Sequence, residues 1–475
     1  MRILCNLPLE CFDDRKNLRG VELCTFGPTD RMLVDGVHFP FDVAFDPSRG
    51  TIDELLAALP NGFEPDLVML WWPDQEPLPA GLQHCPVPVV GVVSDYNLTL
   101  PTTTRLHPFF DVLLCDRAGV DLFEKLGFPD VRYFCQYTWK RPFHLRHPEL
   151  LRPIDVAFAG NLNPAVQRDR APWIARICGL ESHGVRTAIH QGVQGRAYGD
   201  LLGRARIGFN LAIRGEMNLR AFEVPAAGAL LLMEDSNLEV REFFEPDEEC
   251  VLYGDDDFEA IVLALLRDEP RRRRIAAAGH RRVQSHSLGN RMPSLLELLA
   301  KPGPGRTRGD EVTALIGRAE AILTTWAAPE ACAAAAMAAV RRAPNDARAL
   351  NVLAVATLRW RQHAGGQDAL ALLQRASAAD PTFLPPVWNL AQLLQGSDRA
   401  DLHLAAADEA LRRAHSAQNQ EALTGPMLPF GFSVAAVDWS RGLQHAVRLQ
   451  QPRLAANALR LERLPLRPPV AATSR

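Results

Sequence analysis

The chain has 475 residues, 47% hydrophobic and 23% charged, with a formal net charge of −4. That is too long for one hydrophobic core and points to about three domains. The balance excludes the basic excess of a nucleic-acid-binding domain, and no stretch reaches the ~18 apolar residues of a membrane span.

Residues 1–148 alternate short apolar runs with helical patterns. The runs at 1–4, 67–71, 87–93 and 112–115 are continuous rather than alternating, which predicts parallel strands buried on both faces. Helical segments at 51–59 and 119–126 lie between them. The unit is a Rossmann-like α/β lobe.

Residues 149–300 repeat the pattern. Strands are expected at 155–159, 185–190, 207–211 and 230–233. Helices are expected at 165–178, 198–204, 219–227, 258–266 and 271–286. The arginine run 271–274, with Arg281 and Arg282, reads as a solvated helix face.

Residues 301–310 hold two prolines and three glycines and read as a linker. Beyond it the composition turns to Ala and Leu. Pro344 and Pro381 each follow an Ala-rich helix, 37 residues apart. Counting back from Pro381 gives Ala369, Leu373 and Ala376 at the small, large and small positions of a tetratricopeptide unit. Counting back from Pro344 gives Cys332, Ala336 and Ala339. Residues 363–366 take up the excess over the ~34-residue period. A helical tetratricopeptide-like domain is therefore expected over 311–460, with a tail at 461–475; the role of residues after 420 is open.

Nine cysteines run from Cys5 to Cys332. They form no CxxC, and no Cys/His pair has zinc-ligand spacing, so reduced, mostly buried thiols are expected. The N-terminus turns acidic too early for a signal peptide. The expected location is cytoplasmic.

The informative block begins at Asn218 and ends in a buried strand after Gly228. It reads as a helix entered at a polar residue and stopped by glycine. Arg220 and Glu223 are three apart and share a face. A helix start with an arginine suits a diphosphate, and a carboxylate suits the paired hydroxyls of a ribose. An Arg/Glu pair at this spacing is also what a surface ion pair worth under ~1 kcal/mol looks like.

Four blocks occur in order: residues 155–161, 218–232, 249–253 and 274–286. Together they resemble the donor-binding half of group 1 glycosyltransferases with the GT-B fold, in particular the spore-maturation-type branch. The resemblance implies two Rossmann-like lobes and a nucleotide-sugar donor. It implies that Glu223 binds the ribose and that Arg220 and Arg214 face the diphosphate. Asn218 would open the helix, and Gly160 and Asn161 would form a close-approach loop. It implies no obligatory divalent ion. Relatives carry two glutamates eight apart; here Glu216 lies seven before Glu223. Glu216 is therefore not carried over, and the retaining or inverting outcome stays open.

The acceptor is expected on the first lobe. Asp95, after the strand at 87–93, is the candidate general base, although an Asp there also suits a turn or a helix cap. Trp71 and Trp72, followed by Asp74, end another strand, either stacking on a ligand or packing in the core. Asp116 is placed equivalently without further support. His280 and His286 read as structural.

The expected activity is hexosyl transfer to a protein or surface-polymer acceptor, with the helical repeats recruiting a protein partner. A non-catalytic adaptor and a sugar-nucleotide epimerase are the alternatives.

Overall fold

The structure, a computed structural model, describes residues 1–73, 76–144, 151–162, 170–306, 311–325, 328–360, 362–363, 365–394 and 399–414. Asp74, the start of the helix expected from 165, part of the linker, and residues 415–475 lie outside that description.

The first sheet is built from β1 (Arg2–Cys5), β2 (Glu22–Gly27), β5 (Val43–Ala44), β6 (Leu67–Trp71), β7 (Val89–Val92), β8 (Val112–Cys115) and β9 (Val131–Tyr133), in the order β5-β2-β1-β6-β7-β8-β9. A separate antiparallel hairpin joins β3 (Arg31–Val34) to β4 (Val37–Pro40). The helices are α1 (Ile52–Ala57), α2 (Tyr96–Thr103) and α3 (Arg117–Lys125). Every residue of β6, β7 and β8 is buried, as the continuous apolar runs require. Thr51 caps α1 in a capping box with Glu54, which fixes where that helix starts.

The second sheet is also fully parallel, in the order β11-β10-β12-β13-β14. Its strands are β10 (Ile154–Ala159), β11 (Thr187–His190), β12 (Ala205–Phe209), β13 (Leu230–Glu234) and β14 (Val251–Tyr253). Its helices are α4 (Arg170–Gly179), α5 (Gly195–Gly203), α6 (Leu219–Ala226), α7 (Val240–Phe243), α8 (Phe258–Arg267), α9 (Glu269–Gln284) and α10 (Leu288–Ala300). Phe158, Phe209, Tyr253 and Phe258 form the aromatic centre of one face. Phe222, Phe243 and Phe244 form that of the other. Gly228 has φ +80° and ends α6, with its N–H on the Pro225 carbonyl at 3.0 Å. A side chain with a Cβ would be strained there.

Among the described residues six further helices follow: α11 (Glu311–Thr325), α12 (Pro329–Arg342), α13 (Ala347–Arg359), α14 (Ala369–Ala379), α15 (Pro385–Leu394) and α16 (Ala400–Ala414). Each packs on the next. The residues counted back from Pro344 and Pro381 are all buried in α12 and α14. Small side chains there let neighbouring helices approach closely. Trp360 ends α13 and packs into the same core. Gly365 and Gly366 lie between α13 and α14.

Two parallel α/β sheets followed by helices is the fold class predicted from sequence. The chain divides into two compact units. One contains residues 1–45, 60–69 and 113–304; the other contains 46–59, 70–112 and the described residues from 305 onward. Arg306 of the expected linker is anchored within the second unit: its guanidinium meets Asp111 at 3.1 Å and the Cys85 carbonyl at 2.6 Å. No helix among the described residues is long and apolar enough to cross a membrane. None of the nine cysteines is in a disulfide, and only Cys178 is exposed.

Candidate functional site

Strand order reverses around β10, which has β11 on one side and β12 on the other. In an open parallel sheet, ligands bind beyond the carboxyl ends of strands at such a reversal. Those ends are Ala159 with Gly160, and Phe209 with Asn210. The helix that meets them is α6. Asn218 caps it, its side chain accepting the Ala221 N–H at 3.2 Å, as a polar helix entry predicts.

Arg220 ties the two strand ends together. Its Nε donates to the Ala159 carbonyl at 3.0 Å and its Nη1 to Asn210 Oδ1 at 3.1 Å. The guanidinium is 4.4 Å from the Phe158 ring centroid and 9% exposed. A Cβ at Gly160 would lie 2.4 Å from Arg220 Nη2 and 3.1 Å from the Phe158 ring. The glycine is required by that close approach.

A second guanidinium belongs to Arg170, which the sequence reading missed. It is buried, donates to the Asn161 carbonyl at 2.6 Å, and lies 5.3 Å from the same Phe158 ring. Burial, then repulsion from Arg220, push it down to about 10. Among the described residues no carboxylate is within ion-pair distance of either guanidinium. Burying cations without counter-charge is costly, and two together form a site for an anion. The one available signal for Arg170 was an arginine shortly after the loop that ends β10.

Glu223 lies one turn further along α6, 4% exposed. The Tyr198 phenol on α5 lies close enough to Glu223 and Arg220 to feel both charges. Burial first, then the Glu223 carboxylate, push that phenol well above its ordinary value, so it stays a donor. His144 Nε2 is 3.7 Å from Glu223 Oε1. Its Nδ1 donates to the Lys140 carbonyl at 3.2 Å, and its ring meets Tyr198 edge-on. The expected shared face of Arg220 and Glu223 is present, but both side chains are buried rather than forming a surface pair.

Arg214 has other partners than the expected diphosphate. Its Nε and Nη2 are each 3.0 Å from Asp116 Oδ2, and Nη2 is 3.8 Å from Glu216. Three carboxylates staple the surrounding loop. Glu234 accepts the Ala212 N–H at 2.9 Å, Glu216 the Arg214 N–H at 2.7 Å, and Glu239 the Met217 N–H at 2.9 Å. Asp116 also caps α3 through the Gly119 N–H at 2.7 Å.

Glu239 gives a pH dependence. Burial raises its carboxyl from 4.5 to about 7. In the folded state it keeps a proton that the unfolded chain releases above about 4.5. Its contribution to stability is therefore full below that pH and is lost as pH rises through about 7. The expected denaturation midpoint falls between about pH 5 and pH 7.5. Glu239→Gln should flatten that fall, while lowering stability overall, because one amide oxygen replaces two acceptors. An unchanged slope in urea titrations would contradict this.

Asp95 lies between β7 and α2, half-buried, beside buried Ser94 and Asn97. The tryptophan pair is split. Trp71 is in the core, whereas Trp72 is half-exposed with φ +54°, a strained conformation for so large a residue. His280 and His286 are held by the Pro225 and Phe243 carbonyls at 2.9 and 3.0 Å. Burial pushes His286 down to about 4. Among the described residues no group of three His, Cys, Asp or Glu is placed to hold a metal.

Residues 145–297 match a family described as glycosyl transferase-like. The match covers about a third of the chain. It contains the whole second sheet and the Arg170, Arg220 and Glu223 cluster. Among curated proteins none matches the chain. Similar solved structures include sucrose-phosphate synthase from Thermosynechococcus elongatus, at 11% identity over 63% of this chain and 98% of that one, with TM-score 0.39. Anabaena HepE in complex with UDP-glucose has 13% identity over 63% and 100%, with TM-score 0.41. A complex of S. aureus TarM with UDP has 9% identity over 49% and 55%, with TM-score 0.38.

Proposed function

We propose that the chain is a glycosyltransferase using a nucleotide-sugar donor. The observation that carries this is the pair of buried guanidiniums at the strand reversal, with no carboxylate among the described residues within ion-pair distance, inside the segment that matches the glycosyl transferase-like family. Arg220 and Arg170 hold the diphosphate. Gly160 and Asn161 let the backbone approach it. Glu223 accepts the ribose hydroxyls. Arg214 acts from one step back, holding the loop that leads to Asn218 and α6.

Asp95 is assigned as general base toward the acceptor hydroxyl: it takes that proton as the oxygen attacks the anomeric carbon and the nucleoside diphosphate departs. The six helices, read as tetratricopeptide-like, recruit a protein or surface-polymer acceptor in the cytoplasm. A transferred hexose fits the resemblance on which the reading began.

The test is a thermal-shift screen of nucleotide sugars on the full chain. A ligand that binds only the folded state raises the apparent midpoint. At least one nucleotide sugar should do so, and Arg170→Gln should remove the shift. No stabilisation by any common nucleotide sugar sinks the proposal.

A further inference from the structure

The arginine run at 271–274 is only partly the solvated face that its sequence suggests. Arg272 is 4% exposed. With Arg273 it lines a cavity of about 660 Å³, whose other basic walls are Arg152, Arg186 and Arg206. The cavity lies where β10 and β12 begin. Gly160 and Asn210 mark where the same two strands end. It is therefore at the opposite edge of the sheet from Arg170 and Arg220.

The guanidiniums are held in place from behind. Arg186 Nε and Arg206 Nη1 are bonded to Asp155 at 2.9 and 2.8 Å. Arg152 Nη1 donates to the Ala205 carbonyl at 2.7 Å. Arg272 Nη1 donates to the Leu265 carbonyl at 3.2 Å. A guanidinium carries five N–H donors, so these bonds orient each group without exhausting it. Among the described residues, Arg186, Arg206, Arg272 and Arg273 face two carboxylates, Asp155 and Glu269, which leaves a formal excess of two positive charges. Burial, then repulsion from Arg206, hold Arg272 below its ordinary value. Ala276, Ala277 and Pro153 supply an apolar wall.

We propose that this cavity binds an organic phosphate, with its phosphate groups on Arg206, Arg272 and Arg273 and its carbon skeleton against Ala276 and Ala277. Forked donors in excess of local carboxylates recognise phosphate oxygens. The volume exceeds what inorganic phosphate alone would fill. The site stands independently of the donor reading, because no residue is shared.

The test is calorimetric titration of the full chain with fructose 1,6-bisphosphate and, separately, inorganic pyrophosphate. The bisphosphate should bind at least as tightly as pyrophosphate. Arg273→Glu should weaken it by about tenfold or more, the scale of a lost charged contact. Ala277→Glu, which places a carboxylate on the apolar wall without touching an arginine, should do the same. Arg170→Gln should leave it unchanged. No binding, binding of pyrophosphate alone, or binding lost in Arg170→Gln but kept in both cavity variants overturns the proposal.

Discussion

Arg220→Ala is expected to lower stability by about 2–4 kcal/mol and to weaken nucleoside diphosphate binding by about 100-fold or more. The stability loss follows from what stays behind. The Ala159 carbonyl and Asn210 Oδ1 lose their donor, and the Phe158 face loses its cation. Arg220→Lys should recover little, because one ammonium cannot span both strand ends as a planar fork does. Gly160→Ala is the reciprocal probe. Its methyl would occupy the position of Arg220 Nη2, so it should displace the guanidinium and mimic its loss. The two changes act on one contact, and their combined effect should fall well short of the sum. Urea denaturation and calorimetry on the four proteins give the cycle. Additive effects, or undiminished affinity in a folded Arg220→Ala protein, would remove Arg220 from the binding site.

The same residue shows what the sequence could reveal. Buried parallel strands announce themselves as apolar runs, so β6 and β8 are legible to the residue. The start of α6 is legible because Asn218 is a strong cap and Gly228 a strong stop. β9 and the hairpin of β3 and β4 are not, because their burial is partial. β3 has alternate residues exposed, and β9 has none fully buried.

The cluster around Glu223 was legible only in part, for a related reason. Arg220 and Glu223 are three apart on one helix, so local geometry relates them. Tyr198 and His144 reach Glu223 only because α5 and the segment before residue 145 pack against α6. No pattern on either segment encodes that. Arg214 shows a second limit. A basic residue near the motif suggests an anion ligand, but its counter-charge, Asp116, lies at the start of α3. Charge in sequence does not show which charges are already neutralised in space. Arg272 shows the same limit at the other edge of the sheet.

Asp95→Asn is expected to reduce kcat by about 10²–10⁴-fold, the usual contribution of a general base, while donor affinity is retained. The choice of asparagine decides between two roles that its position allows. Asp95 directly precedes Tyr96, the first residue of α2, where an aspartate also stabilises a helix start. Asparagine caps about as well as aspartate, whereas alanine costs about 1 kcal/mol. A capping role therefore predicts near-normal turnover for Asp95→Asn and a lowered denaturation midpoint for Asp95→Ala alone. A base role predicts that both variants lose turnover, that the asparagine protein keeps its midpoint, and that the acid limb of the kcat profile disappears with the carboxylate. Donor binding separates this from the Arg220 series. There affinity fails and the proton-transfer step is untouched; here affinity holds and only the step that takes the acceptor proton is slowed.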